Sequence, residues 1–75
     1  MDTQAIADRL RTLRTRRNES QQEVADAIGI SVSAYSMYEN GERIPRDRTK
    51  IKIAKHFGRS VGFIFYAPVD KDRER

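Results

Sequence analysis

Residues 21–40 read QQEVADAIGISVSAYSMYEN. Two short helical patterns meet there at Gly29, and the second is nearly neutral in a chain otherwise crowded with arginine and lysine. Ser20 opens the first pattern. With Glu23 three residues on, it makes a capping box, in which serine takes a backbone N–H and the glutamate reaches back to the serine's own N–H. Val24, Ala25 and Ile28 then form an apolar face, and Gly29 stops the helix because glycine adopts a positive φ without steric cost. Ser31 caps the second helix, expected over residues 32–39, with Tyr35 and Tyr38 on one face and Asn40 and Gly41 at its end.

Helices joined by about three residues must cross closely. The crossing needs a small side chain, which Ala25 supplies. The second helix must bury a large apolar group beneath the first, which Tyr35 supplies. Val24, Ile28 and Ile30 fill the wedge. This is the content of a helix-turn-helix unit. An ordinary αα-corner without a ligand would satisfy the same pattern.

Context separates the two readings. Five arginines lie in residues 9–17, and seven basic residues lie between Arg43 and Arg59. They flank the neutral helix on both sides. In duplex DNA the phosphates edge the major groove and the bases form its floor. Cations therefore belong beside an inserted helix, and small polar or apolar groups belong on its face. Ser31, Val32, Ser33, Ser36 and Met37 are such a set.

The other helices follow from caps and periodicity. A first helix is expected over residues 4–17, capped by Thr3 or Asp2, with Ile6, Leu10, Leu13 and Arg17 along one face. Asp47 is expected to cap a fourth helix that points Ile51, Ala54 and Phe57 inward, with Ile53 nearby, and ends at Gly58. Ser60 should cap a short fifth helix, VGFIFY, closed by Pro68. No run alternates with the period of a strand. The reading is an all-α chain of five helices: one domain over residues 1–67, with no room for a ligand-sensing domain, and a charged, frayed tail over residues 68–75.

Composition narrows the function further. The 75 residues include no cysteine and one histidine, His56, so no ordinary metal site is expected and no cofactor is implied. The net charge is +4 and the pI near 9.9, which favours a polyanionic partner. The longest mostly apolar run, VGFIFYAPV, is far short of the ~20 residues of a bilayer helix, and the N-terminus lacks a secretory pattern. A cytoplasmic, nucleoid-associated protein is expected. No Ser-His pair, thiol or metal cluster suggests an enzyme, and no small-molecule substrate is evident.

The stretches LRTLRTRRNESQQEVADAIGIS, YSMYENGERIP and IAKHFGRSV also resemble the lambda-repressor/Cro-like helix-turn-helix regulators, the Xre family. The resemblance spans about residues 6–65. The spacing from Arg14 through Gln21, Ala25, Gly29, Glu39 and Gly41 to Pro45 all fits. It implies a compact five-helix bundle that binds a double-stranded, inverted-repeat DNA operator as a homodimer, most often as a bacterial or phage repressor. By the same resemblance Val32, Ser33 and Met37 would face bases, with Ser31 and Ser36 at the margins. Ser20, Gln21, Arg43 and Arg46 would contact phosphates, Gln21 also bracing the recognition helix. Arg14 and Glu39 would form a structural salt bridge. Independently of the resemblance, Phe63, Phe65 and Tyr66 crowd one short helix, and so small a core cannot hide every ring; they are expected to supply the dimer interface, with Ile64 and one phenylalanine turned inward and Phe63 exposed.

Three positions depart from the family pattern. Tyr35 replaces a branched aliphatic residue, so looser packing or a hydroxyl at the surface is expected. Lys50 replaces an apolar residue. Gly62, inside the fifth helix, replaces an acidic one. No Gln, Asn or Arg occupies the main base-reading positions, which leaves thymine methyl contacts, serine bonds, water and DNA shape to discriminate. The competing reading is an antitoxin- or immunity-type module whose main partner is another protein, served by the aromatic GFIFY segment.

Overall fold

Asp2 begins the first helix. Its carboxylate accepts hydrogen bonds from the Gln4 and Ala5 backbone N–H groups at 3.1 and 3.0 Å, which fixes the start of α1 (Thr3–Arg16). The computed structural model describes residues 2–68, so the expected tail lies, apart from Pro68, outside the described residues. The remaining elements are α2 (Gln21–Ile28), α3 (Val32–Glu39), α4 (Asp47–Phe57) and a short π-helical segment, Gly62–Tyr66. No strand occurs among the described residues.

Each turn follows from local chemistry. α1 ends in a Schellman motif at Asn18, whose φ of 55° is the one positive value outside glycine among the described residues. The Asn18 and Glu19 N–H groups return to the Thr15 and Arg14 carbonyls at 3.0 and 3.2 Å. The Ser20 capping box is present with both of its bonds. Gly29, at φ 77°, lets the chain reverse so that Ile30 N–H reaches the Ala25 carbonyl at 3.0 Å. Ser31 Oγ accepts from the Ala34 N–H and starts α3.

α3 packs on both α1 and α2, α4 packs on α2, and the π-helical segment returns to α1. One core joins them: Ile6, Leu10 and Leu13 from α1, Val24, Ala25 and Ile28 from α2, Tyr35 and Tyr38 from α3, Ile53, Ala54 and Phe57 from α4, and Ile64 and Phe65. The Tyr35 and Tyr38 rings meet edge to face, 6.4 Å between centroids.

Five expectations need correction. Arg17 lies past the end of α1 and is exposed, so it is not on the core face. Asp47 is the first residue of α4 rather than its cap; Arg46 holds the cap position and offers no side-chain acceptor. Ile51 is 50% exposed, and the inward face is Lys50, Ile53, Ala54 and Phe57. That set keeps the helical spacing which a lysine had hidden. The Lys50 stem is buried, and its ammonium donates to the Tyr66 hydroxyl at 2.8 Å and lies 4.8 Å from that ring's centroid. The last element is π-helical. Ser60 Oγ accepts from Phe63 N–H, and the Arg9 guanidinium donates to the Ile64 and Ala67 carbonyls at 3.1 and 2.8 Å. Finally, Tyr35 is neither loosely packed nor near the surface: ring and hydroxyl are fully buried.

Candidate nucleic-acid interface

The outward face of α3 carries no charge. Ser33, Met37 and the following Asn40 are exposed, Ser36 and Val32 half-buried. Together with Gln21 and Glu42 they wall a shallow groove. The cap geometry explains the arrangement. Ser20 and Ser31 fix the starts of α2 and α3, and the Gly29 turn brings Gln21 alongside Val32. Val32 also packs against the core, so only part of its side chain faces out. Ser31 uses its hydroxyl oxygen as a cap acceptor, which leaves its O–H free to donate.

Beyond the end of α3, Arg43 and Arg46 line a second depression with Tyr38, Ile44 and Thr49. Both arginines are exposed, and neither has a carboxylate within 4 Å among the described residues. Uncompensated cations beside an uncharged helix face suit a phosphate backbone flanking a groove.

Two residues of the α3 groove escape a sequence reading. Asn40, taken only as a helix stop, presents an exposed carboxamide, held by donation to Glu42 Oε2 at 3.1 Å. A carboxamide is the kind of side chain that can bond an adenine edge, and the sequence-predicted base-reading set has none. Glu42 places an acid on the groove wall. Their position becomes visible only when the end of α3 and its exit are fixed.

Behind the groove lies a buried polar network. Arg14 grips Glu39 with two bonds, Nε to Oε2 at 2.7 Å and Nη2 to Oε1 at 3.0 Å. Its third nitrogen donates to the Glu19 carbonyl at 2.9 Å. Gln21 Nε2 donates to Glu39 Oε1 at 3.0 Å, and Arg11 donates to the Glu39 backbone carbonyl at 2.9 Å. The network ties α1, the loop before α2, the first residue of α2 and the last of α3. Burial works against ionisation of Glu39, but donation by Arg14 and Gln21 and the nearby Tyr35 hydroxyl outweigh it, so its pKa lies below the usual carboxylate value. The Glu39 hydrogen bond raises the Arg14 pKa in turn. Burial, and then the neighbouring Glu39 carboxylate, push the Tyr35 phenol up.

A second cluster sits at the loop before α2. His56 Nε2 lies 3.0 Å from Glu19 Oε1, which also accepts from Arg17 Nε at 2.9 Å. Burial opposes the Glu19 charge, yet these two partners hold its pKa low. The lone histidine is therefore paired with a carboxylate. Among the described residues no group of His, Asp and Glu could hold a metal ion, and no helix is long and apolar enough to cross a membrane.

The three rings expected at a dimer interface do not share one face. Phe65 is packed in the core and is unavailable to a partner. Phe63 is 43% exposed beside Asp8, Arg9, Thr12, Leu13, Arg16 and Arg59, with the Arg59 guanidinium 4.9 Å from its centroid. Tyr66 is exposed beside Lys50.

Relatives bear on this geometry. The chain is 38% identical over 53 residues to the Cryptic phage CTXphi transcriptional repressor RstR of Vibrio cholerae, an alignment covering 71% of this chain and 48% of that protein. It is 43% identical over 49 residues to the RstR of Vibrio cholerae serotype O1 (strain ATCC 39315 / El Tor Inaba N16961), covering 65% and 44%. It is 37% identical over 59 residues to the SPbeta prophage-derived uncharacterized HTH-type transcriptional regulator YonR of Bacillus subtilis (strain 168), covering 79% and 55%. The chain thus spans about half the length of the curated relatives it matches. No solved structure matches it significantly. A helix-turn-helix family profile matches residues 10–64, from the middle of α1 into the π-helical segment and across both helices of the turn. With the Gly29 turn and the Arg14–Glu39 clasp inside that span, the chain belongs to the helix-turn-helix family of the Xre/Cro/C1 type.

Proposed function

We propose that this protein is a sequence-specific double-stranded DNA-binding transcriptional regulator, a repressor that sets α3 into the major groove of an inverted-repeat operator as a homodimer. The observation that carries the reading is the uncharged outward face of α3, with Ser33, Met37 and Asn40 exposed, beside the uncompensated Arg43 and Arg46. Ser33, Met37 and Asn40 read base edges, with Ser31, Ser36 and the outer part of Val32 at the margins. Arg43, Arg46, the α2 N-terminus at Ser20 and the Gln21 side chain take phosphates. The names of the matched phage regulators support repression. Phe63, the exposed ring beside α1, supplies the contact between subunits, and the protein acts on DNA in the cytoplasm.

Selection of bound sites from random duplex DNA tests this. A palindromic consensus with half-sites about one helical turn, ~34 Å, apart is the expected result. A pool without any enriched sequence would overturn it and leave a protein-interaction module as the better account.

A further inference from the structure

Glu42 is an acid on the wall of a groove from which phosphates should repel acids. It follows the end of α3 and lines the same depression as Ser33, Ser36 and Met37. Its neighbour Arg43 turns into the other depression, shared with Tyr38 and Arg46. Two adjacent residues are thus sorted by charge. The cation goes to the side read above as phosphate-binding, and the carboxylate stays on the face that meets bases.

The backbone fixes this position. Gly41, at φ 76°, turns the chain out of α3, and the Glu42 N–H returns to the Met37 carbonyl at 2.9 Å. The side chain is held as well, because Oε2 accepts from Asn40 Nδ2 at 3.1 Å. No lysine or arginine lies within 4 Å of the carboxylate among the described residues. Glu42 is exposed, so water solvates its charge in the free protein. Against DNA it would lose that water beside a row of phosphates, which is costly unless a donor meets it. An ionised carboxylate can only accept. On the floor of the major groove the donors are the exocyclic amines, N4 of cytosine and N6 of adenine. Guanine presents two acceptors there, and thymine an acceptor and a methyl group. Oε1 is the oxygen left open to such an amine.

We propose that Glu42 is a specificity-determining residue: its carboxylate accepts from the exocyclic amine of a cytosine or adenine and rejects base pairs that put guanine or thymine in that place. The proposal rests on the DNA-binding reading above. It gives an otherwise uncharged reading face one charged acceptor, whose selectivity comes from exclusion as much as from attraction.

The test measures wild type, Glu42→Gln and Glu42→Ala on the duplex that the wild-type protein enriches from a random pool, with each base pair of the half-site changed in turn. Wild type should prefer cytosine or adenine at one position, and guanine or thymine there should lower affinity by about tenfold. The base selected tells which amine is read. Glu42→Ala should level that position to within about twofold and keep the preferences elsewhere. It should also bind a scrambled duplex at least as tightly as wild type, because a like charge has left the neighbourhood of the phosphates. Glu42→Gln keeps the shape and adds an N–H donor, so it should admit guanine or thymine at the same position. Both variants should melt with wild type, since the side chain is exposed and the backbone bond to Met37 remains. Variants that keep the wild-type preference at every position, or that weaken all duplexes alike, overturn the role of Glu42 while leaving DNA binding intact. A wild-type protein that enriches no duplex overturns the DNA-binding reading itself, and the role of Glu42 with it.

Discussion

Replacing Arg14 by alanine leaves a fully buried carboxylate without its cation. Glu39 loses the 2.7 and 3.0 Å bonds, and the Glu19 carbonyl loses its 2.9 Å donor, while Gln21 alone remains on Oε1. Removing one partner from a buried pair costs about 3–5 kcal/mol. Arg11→Ala is the matched control. Arg11 is exposed and gives one bond to the Glu39 backbone carbonyl, at 2.9 Å, so its loss should cost about 1 kcal/mol. Each kcal/mol moves the melting temperature of a domain this size by about 4–8 °C. The two variants should therefore differ by roughly 10 °C or more. The pH dependence supplies a second check. Because the Glu39 pKa is lowered in the fold, its contribution is fully present above the unfolded value, near 4.5, and is lost as pH falls through the lower folded value. In Arg14→Ala the buried carboxyl lacks its cation, so its pKa rises and protonation relieves it. The gap between wild type and Arg14→Ala should accordingly shrink below pH 5, measured by thermal melts monitored by circular dichroism from about pH 3 to 8. Equal melting temperatures for the Arg14 and Arg11 variants, or a gap that ignores pH, would refute the reasoning.

Four further outcomes follow from the same geometry. Arg43→Ala should weaken binding to selected and scrambled duplexes alike and lower the salt slope by about one charge per subunit in titrations at several salt concentrations. Met37→Ala should instead lose roughly 1 kcal/mol of discrimination at one or two base pairs with the salt slope intact; equal weakening on both duplexes would remove α3 from the groove. Phe63→Glu should abolish cooperative binding to paired half-sites in footprinting and shift sedimentation to monomer; unchanged cooperativity would exclude that ring from the interface. Lys50→Met keeps the buried stem and removes the ammonium bonded to Tyr66, so the unfolding free energy from urea titration should stay within about 1 kcal/mol of wild type; a large loss would mean that the ammonium itself holds the C-terminal segment.

What could be read from the sequence was written locally. Ser20 and Ser31 cap through atoms three residues away, Gly29 needs only its own backbone, and Ile6, Leu10 and Leu13 repeat at one period. The Arg14–Glu39 pair came from a resemblance, since nothing local joins residues 25 apart. What escaped was set by distant partners. Lys50 looked polar until Tyr66 gave its ammonium a bond, so Ile51 was turned inward in its place. Arg9 looked like one more surface cation, yet it meets carbonyls 55 and 58 residues away. Which ring of Phe63, Phe65 and Tyr66 enters the core depends on the wider π-helical winding, and the α-helical period cannot supply it. The burial of the Tyr35 hydroxyl beside Glu39 required the whole fold around α3.

The Arg9 contacts also set an order of events. Pairing α1 with the last element closes the longest loop in the fold, so it carries the largest chain-entropy penalty. A five-residue element held by two buried side chains, the Arg9 guanidinium and the Lys50 ammonium is expected toward the low end of local stability. Its amides should exchange with solvent sooner than those of α1. Phe63 rides on that element, so in the proposed dimer the population with the segment closed would multiply the intrinsic affinity between subunits. A second copy docking there would in turn slow the opening, coupling self-association to the order of the final turn.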